Sequence, residues 1–426
     1  MRPKNRKGEF VVFKNPYIRT IIASNALLNL GIWVRNFAIL LYVTDLTHND
    51  PVYVSLISVA EFMPIFLFAI IGGTFADRWR PKRTMISCDL LSAASIFIVL
   101  LALWYGSWQV LLLSTFFSAI LSQFSQPSAM KIFKQHVAPE QLQGVMALFQ
   151  SLMALFMVIG PVIGTFIYQH FGIYISMSIT GILFLISALV LTRIPQDEQA
   201  LEIDNQPPHF IQELKEGIRY VWNNRTLRTL GGTFTVIGLA VGLIQPLMVF
   251  VAIENLGQNK EFLQWPLMAN GAAMLVGGGL IMGVAKKVQP QLLLVTGLLV
   301  STLTTFGVGW SHNIVLTMAL QVFSGLFYPC IHIGINTMMM KNAEAAFIGR
   351  VGGALSPLFS GMMVVGMSIG GTLKHESSLN TVYTVSAGLF LVGATLLLPL
   401  LRDRRPVQAV IADDSEKQHK KPPLER

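Results

Sequence analysis

Arg35, Glu61 and His332 lie deep inside apolar stretches of the chain, and Asp89 lies near the end of another. An ionisable side chain in such a setting either bonds a partner permanently or exchanges a proton, and both uses keep it facing protein rather than hydrocarbon. Arg35 stands ten residues before Asp45, and Glu61 ten residues after Pro51, with a short polar connection between those two ends. At about 1.5 Å of rise per helical residue both sit about 15 Å deep, so they can meet. Two readings stay open. One is a fixed ion pair locking consecutive helices; the other is a carboxylate whose pairing changes as it takes up and releases a proton. His332 has the same alternatives, a bond between helices or a second proton site.

Amides within apolar stretches add neutral donors and acceptors: Asn29, Asn36, Gln123, Gln126 and Gln150 early in the chain, Gln245, Asn270, Gln321 and Asn336 later. Any one of them can simply bond a neighbouring helix, worth about 0.6 kcal/mol. Together with Trp33 they are candidates for lining a polar path. Other chemistry lacks its parts. The two cysteines, Cys88 and Cys330, fall in separate stretches without metal-ligand spacing, and no His, Asp or Glu cluster or nucleophile and base set accompanies them. No G-x-x-x-x-G-K-[ST] segment occurs. The expectation is a chain that is not an enzyme and holds no metal or cofactor.

The elements that must position these residues follow from composition. Of 426 residues 53% are hydrophobic and 12% charged, against about 25% charged in an ordinary soluble domain. Runs long enough to cross about 30 Å of hydrocarbon lie near 18–45, 53–75, 84–104, 108–134, 142–170 and 172–193, then 226–254, 262–285, 289–310, 312–341, 346–373 and 379–401. Of the 31 Lys and Arg, 28 fall in the two tails, alternate loops and the central linker, while Lys260 and Lys374 lie on the other side and Arg35 inside the first run. By the positive-inside rule both termini are cytoplasmic. The net charge of +9 therefore reads as topology, with a minor contribution to binding anionic lipid, and implies no nucleic acid.

The long polar insertion 194–225 contains the midpoint of the chain, and glycines recur across it. Gly72 and Gly73 match Gly278 and Gly279, and Gly160 and Gly164 match Gly366 and Gly370, each at an offset of 206 residues. The fold expected is all-α integral membrane, twelve transmembrane helices in two six-helix pseudo-repeats around a central cavity. Its parts are a first half at 1–193, a cytoplasmic linker at 194–225, a second half at 226–401 and a disordered cytoplasmic tail at 402–426. Within the linker, Phe210, Leu214, Ile218, Val221 and Trp222 recur at helical spacing among charges, which predicts an amphipathic helix on the membrane surface. Away from their ends, the third, sixth, ninth and twelfth runs carry no amide, histidine or charge, Asp89 near the cytoplasmic end of the third excepted. Those four are expected to face lipid, with the other eight lining the path.

The segment Gly73-Thr74-Phe75-Ala76-Asp77-Arg78-Trp79-Arg80-Pro81-Lys82-Arg83 resembles the loop signature G-x-x-x-D-R-x-x-R-[KR] of the major facilitator superfamily, with Pro81 inserted. Gly160-Pro161-Val162-Ile163-Gly164 resembles the G-P-x-x-G signature that accompanies proton-coupled export there, with Thr165 in place of a second glycine. Asp77 to Arg83, Asp89 and the run Tyr42 to Thr47 are similar to the macrolide-efflux-like drug:proton antiporter branch. The fourth run lacks the embedded arginine of another large exporter group, and Gly283 stands where a second-half counterpart of Asp77 would be.

This resemblance implies a proton-coupled exporter of amphipathic or lipophilic small molecules in the bacterial plasma membrane, acting as a monomer with small-molecule substrate, protons and membrane lipid as partners. It also implies a conformational latch of Gly73, Asp77, Arg78, Arg83 and Asp89, with Asp77 against the start of the eleventh helix, where unpaired N–H groups attract a carboxylate. The alternatives are a lipid or lysophospholipid translocator on the same fold and a membrane sensor that transports nothing.

Overall fold

The computed structural model describes residues 15–195, 210–285, 287–344 and 347–402; the side chains of residues 69–78, 140, 210–213 and 402 lie outside that description. Proline begins α1 (Pro16–Leu46), α2 (Pro51–Arg78) and α3 (Pro81–Trp104), at positions where its missing N–H has no intrahelical partner to lose. Then comes α4 (Val110–His136). The stretch Pro139–Thr192 breaks at Gly172, whose φ of 72° is disfavoured for residues with a side chain, into α5 (139–171) and α6 (173–192).

The second half repeats the plan. α7 starts as Arg225–Ile244, tightens at Gln245–Leu247 around Pro246 and widens into a π-turn at Val251–Asn255. It is followed by α8 (Gln264–Val284), α9 (Pro290–Trp310), α10 (Ile314–Asn342), α11 (Ile348–Glu376) and α12 (Leu379–Arg402). Each of the twelve expected runs is helical, with ends shifted by three residues or fewer. The chain is therefore a multi-pass membrane protein of twelve spanning helices.

Within the first half α1 packs on α5 and α6, α2 on α4, and α3 on α4 and α6; within the second α7 packs on α11 and α12, α8 on α10, and α9 on α10 and α12. The halves meet where α2 lies on α11 and α5 on α8. Side chains carry the same repeat. Asn15 caps α1 and donates from Nδ2 to the His136 carbonyl at the end of α4 (3.0 Å); Asn224 caps α7 and donates to the Asn342 carbonyl at the end of α10 (3.3 Å). A Cβ on Gly160 or Gly164 would strike Trp33 or Phe37 of α1, and one on Gly366 or Gly370 would strike Leu239 or Leu243 of α7. All four of these contact residues are again related by the offset of 206.

Both ends of the described bundle lie on one face, here the termini face, because the number of crossings is even. The linker helix (Phe210–Asn223) docks on that face against the start of α11: Tyr220 stacks on Phe347 at 4.5 Å, Arg350 pairs with Glu216 at 3.1 Å, and Gly217 admits the Arg350 carbonyl. Its Ile218 and Trp222, one turn apart, remain exposed.

α3, α6, α9 and α12 turn large apolar side chains outward, among them Ile98, Leu189, Leu303 and Leu398. They are not purely peripheral, however. Asp89 of α3 is buried and accepts from Ser187 of α6 at 2.6 Å, and that hydroxyl meets Ser24 of α1 at 2.8 Å. Asp89, one of the expected latch residues, is thus bonded inside the first half by a hydroxyl of α6.

Candidate functional site

The structure contains a cavity of about 650 Å³, within the range of small-molecule sites. Its wall is drawn almost wholly from the second half. α7 supplies Phe234, Val241, Gln245 and Met248; α8 supplies Asn270 and Met274; α10 supplies Gln321, Tyr328, His332, Asn336 and Met339; α11 supplies Leu355 and Phe359. α9 and α12, expected to face lipid alone, contribute Ser301, Thr304, Thr305 and Val308, and Tyr383 and Phe390. From the first half come only Ile65 of α2 and Met157 of α5 among the described residues.

Polar groups converge toward one end of this cavity. Asn270 donates to the Gln321 carbonyl oxygen at 3.0 Å and to its Oε1 at 3.2 Å. Gln321 Nε2 and the Tyr383 hydroxyl both donate to the Met248 sulfur, at 3.5 and 3.6 Å. Toward the termini face His332 lies edge-on to Tyr328, ring centres 5.0 Å apart, and Asn336 follows one turn later. Thus Gln245, Asn270, Gln321, His332 and Asn336 are brought together.

Asn29, Trp33, Asn36, Gln123, Gln126 and Gln150 do not line this cavity. Asn29 donates to the Asn25 carbonyl and side chain at 2.9 Å, and Gln123 to the Ser122 hydroxyl at 3.1 Å, while Gln126 and Gln150 are exposed elsewhere. Trp33 covers Gly160, so the Gly160-Pro161 turn and Gly164 set how closely α5 approaches α1.

Arg35 and Glu61 do not touch directly. Arg35 donates from Nε and Nη2 to Asn36 Oδ1, at 3.1 and 3.0 Å, and Asn36 Nδ2 donates to Glu61 Oε1 at 2.7 Å. Depth alone brought the two charges level; helix rotation put an amide between them. The guanidinium is buried, and its Nη1 has no hydrogen-bond partner. An unmet buried donor costs about 1–3 kcal/mol, more when charged. Ile65, one helical turn after Glu61, reaches the cavity wall, so the relay and the cavity adjoin on α2.

Of the latch residues, Gly73, Asp77 and Arg78 have side chains outside the described residues, and Arg83 is exposed. Lys82 donates to the carbonyls of Thr192 (3.0 Å) and Ile194, which ties the start of α3 to the end of α6.

On the far face, opposite the termini, the halves are clasped. Lys260 donates to the Leu41 carbonyl at 3.0 Å and pairs with Asp45, with its ammonium 5.6 Å from the Tyr168 ring centre. Phe37 and Val54 of the first half share one buried apolar cluster with Leu243, Leu247 and Phe250 of the second. Gly371 of α11 sits where a Cβ would strike the Pro51 carbonyl and Ser55 of α2. The other far-face lysine, Lys374, pairs with Glu254 at 2.6 Å inside the second half. Hydropathy and charge counting found both lysines but could not see that one of them bridges the halves.

The clasp gives an expected outcome. A net charge-assisted hydrogen bond is worth about 1.5–3 kcal/mol, less where, as at Asp45, the partner is solvated. Lys260→Met should therefore raise the population with an open far face about tenfold. The readout is the rate at which a membrane-impermeant thiol reagent modifies Val54→Cys, buried in the shared cluster. An unchanged rate would leave Lys260 without a role in closure.

Comparison with known proteins agrees with this architecture. The profile of the Major Facilitator Superfamily matches residues 21–250 and 230–425. The chain is 22% identical over 399 residues to macrolide efflux protein A of Streptococcus pyogenes, covering 91% of this chain and 96% of that protein. It is 26% identical over 350 residues to the multidrug efflux pump Tap of Mycobacterium tuberculosis, covering 78% and 81%. Among solved structures, the nucleoside transporter NupG superposes with a TM-score of 0.73 at 13% identity, over 91% of this chain and 100% of that one, which is a likeness of fold. Twelve spanning helices, side-chain contacts repeated between two halves and a profile that matches both halves place the chain in one family: it belongs to the major facilitator superfamily.

Proposed function

We propose that the chain is a secondary active transporter that exports amphipathic or lipophilic small molecules in exchange for protons, by alternating access. The observation that carries this reading is the cavity of about 650 Å³, an apolar wall with a few convergent amides beside a helix that holds a carboxylate. Such surfaces, with Met248, Met274 and Met339 in the wall, adapt to varied ligands. The efflux proteins among its relatives support export.

In this reading Glu61 is the proton carrier, Asn36 relays its charge state to Arg35, and His332 stands as a second proton site within the cavity. Gly73, Asp77, Arg78, Arg83 and the start of α11 form the latch on the cytoplasmic side. The far-face clasp through Lys260 must open for release.

Purified protein in vesicles tests the function, with a fluorescent drug and a fluorescent lysolipid compared in the presence and absence of a pH gradient. Movement of the drug that requires the gradient supports the proposal. Movement of the lysolipid in preference makes the chain a lipid translocator, and movement of neither makes it a non-transporting membrane protein.

The cytoplasmic placement of the termini rests on the sorting of 28 basic residues to one side against two on the other. Cysteines introduced at Asn259 and Ser377, both exposed on the far face, should react with impermeant reagent on intact cells, and one at Gln206 should not. The native Cys88 and Cys330 are buried, so background is low. Labelling at Gln206 from outside reverses the orientation, and with it the direction of transport.

A further inference from the structure

Most of the cavity's uncommitted amide capacity belongs to two residues. Gln245 sits where Pro246 interrupts α7, and Asn336 sits one turn beyond His332 on α10. Both line the cavity and are exposed there, and neither side chain bonds another group among the described residues. Asn270 and Gln321, in contrast, already bond each other. An amide carries two donors and an acceptor, so it can bond a carbonyl or a hydroxyl without changing charge.

The described part of the wall is also uncharged. No Asp, Glu, Lys or Arg is among the described residues that line it, and His332 is its one basic side chain. A permanent cation entering such a cavity would leave its hydration shell without gaining a carboxylate from the described lining, with only the faces of Phe234, Tyr328, Phe359, Tyr383 and Phe390 to attract it. An uncharged molecule meets no such cost. It buries apolar surface, and the exposed amides exchange water for its polar groups.

We propose that this cavity binds an uncharged amphiphile of drug size, whose carbonyl or hydroxyl groups are bonded by Gln245 and Asn336. The inference rests on reading the cavity as the substrate site of the transporter. It assigns ligand recognition to the second half of the chain, and leaves the proton relay of Arg35, Asn36 and Glu61 in the first.

Binding is measured on the purified full-length protein in lipid nanodiscs with no gradient, by scintillation proximity. The probes are tritiated progesterone, uncharged with a carbonyl at each end, and tritiated tetraphenylphosphonium, a permanent cation of similar bulk. Progesterone should bind saturably and resist displacement by excess tetraphenylphosphonium. Gln245→Leu and Asn336→Leu should each weaken that binding about three- to tenfold, the value of one neutral hydrogen bond. Neither substitution breaks a hydrogen bond among the described residues, so both variants should elute as the parent does, and Gln109→Leu in an exposed connection should bind as the parent does. The proposal is overturned by phosphonium binding of equal affinity, by progesterone binding indifferent to both substitutions, or by no saturable progesterone binding. A protein that binds progesterone in this way yet moves nothing in vesicles retains this site and loses the exporter reading.

Discussion

Glu61→Gln is expected to reduce proton-driven accumulation in vesicles to the level of protein-free vesicles while substrate binding stays intact. The substitution preserves the local geometry, because a glutamine Oε1 can still accept from Asn36 Nδ2, the bond that is 2.7 Å in the parent. What disappears is a carboxylate that can gain and lose a proton. Proton uptake by Glu61 removes the negative charge that Asn36 faces, and Asn36 in turn holds two of the nitrogens of Arg35. A buried guanidinium with one unmet donor is poised to exchange partners when that charge changes. Downhill movement of substrate, which needs no proton, should continue in the variant. The measurement is uptake of a fluorescent substrate into inverted vesicles across an imposed pH gradient, paired with equilibrium binding. Concentration of substrate by Glu61→Gln at the parental rate would make the relay a structural bond, with coupling located elsewhere.

Gly242→Leu should cost more stability than Gln245→Leu or Asn336→Leu in the cavity wall. A Cβ on Gly242 would strike the Met363 carbonyl oxygen and lie 3.0 Å from the Cα of Gly366, so backbone meets backbone where α7 crosses α11. Flexible side chains can move aside from an added group, but two hydrogen-bonded helix backbones must separate instead. Overpacking typically costs about 1–3 kcal/mol and more where no side chain can yield, so about 3 kcal/mol or more is expected. Thermal melting of the detergent-solubilised protein, followed by the monodisperse fraction on size exclusion, reads the effect. Gly279→Ala on α8 is the comparison: nothing lies within 4 Å of its Cβ position, and alanine favours helix by about 1 kcal/mol. Equal melting of Gly242→Leu and the parent would mean that α7 and α11 can part at little cost.

The same glycines show how much of the fold was legible in the residues. Gly160 and Gly164 announce close packing and recur as Gly366 and Gly370, and the structure places both pairs against residues that are themselves 206 apart. Their contact partners could not be named from sequence, because Trp33 and Leu239 share no chemistry that would mark them as equivalent. The far-face lysines were likewise visible as exceptions to charge sorting. Only the folded chain distinguishes Lys260, which joins the halves, from Lys374, which does not.

The candidate site was legible in one half and not in the other. Gln245, Asn270, Gln321, His332 and Asn336 line one cavity, yet amides of the same type in the first half bond their own helices, join Arg35 to Glu61 or face elsewhere. An amide costs little enough in a membrane helix that its presence does not say what it faces. Asp89 is the sharper case. Its place near the end of an apolar run does not name its partner, which is the Ser187 hydroxyl of α6, itself bonded to Ser24 of α1.

What the residues determined by themselves are the properties that each helix settles alone. A hydrocarbon layer about 30 Å thick forces apolar runs of fixed length whose backbones satisfy themselves, so their number and ends can be read along the chain. Rotation of each helix about its axis, and the identity of its neighbours, depend on contacts between residues far apart in the chain. The tertiary structure alone therefore decided that the cavity lies in the second half, that Asn36 separates Arg35 from Glu61, and that Lys260 clasps the far face.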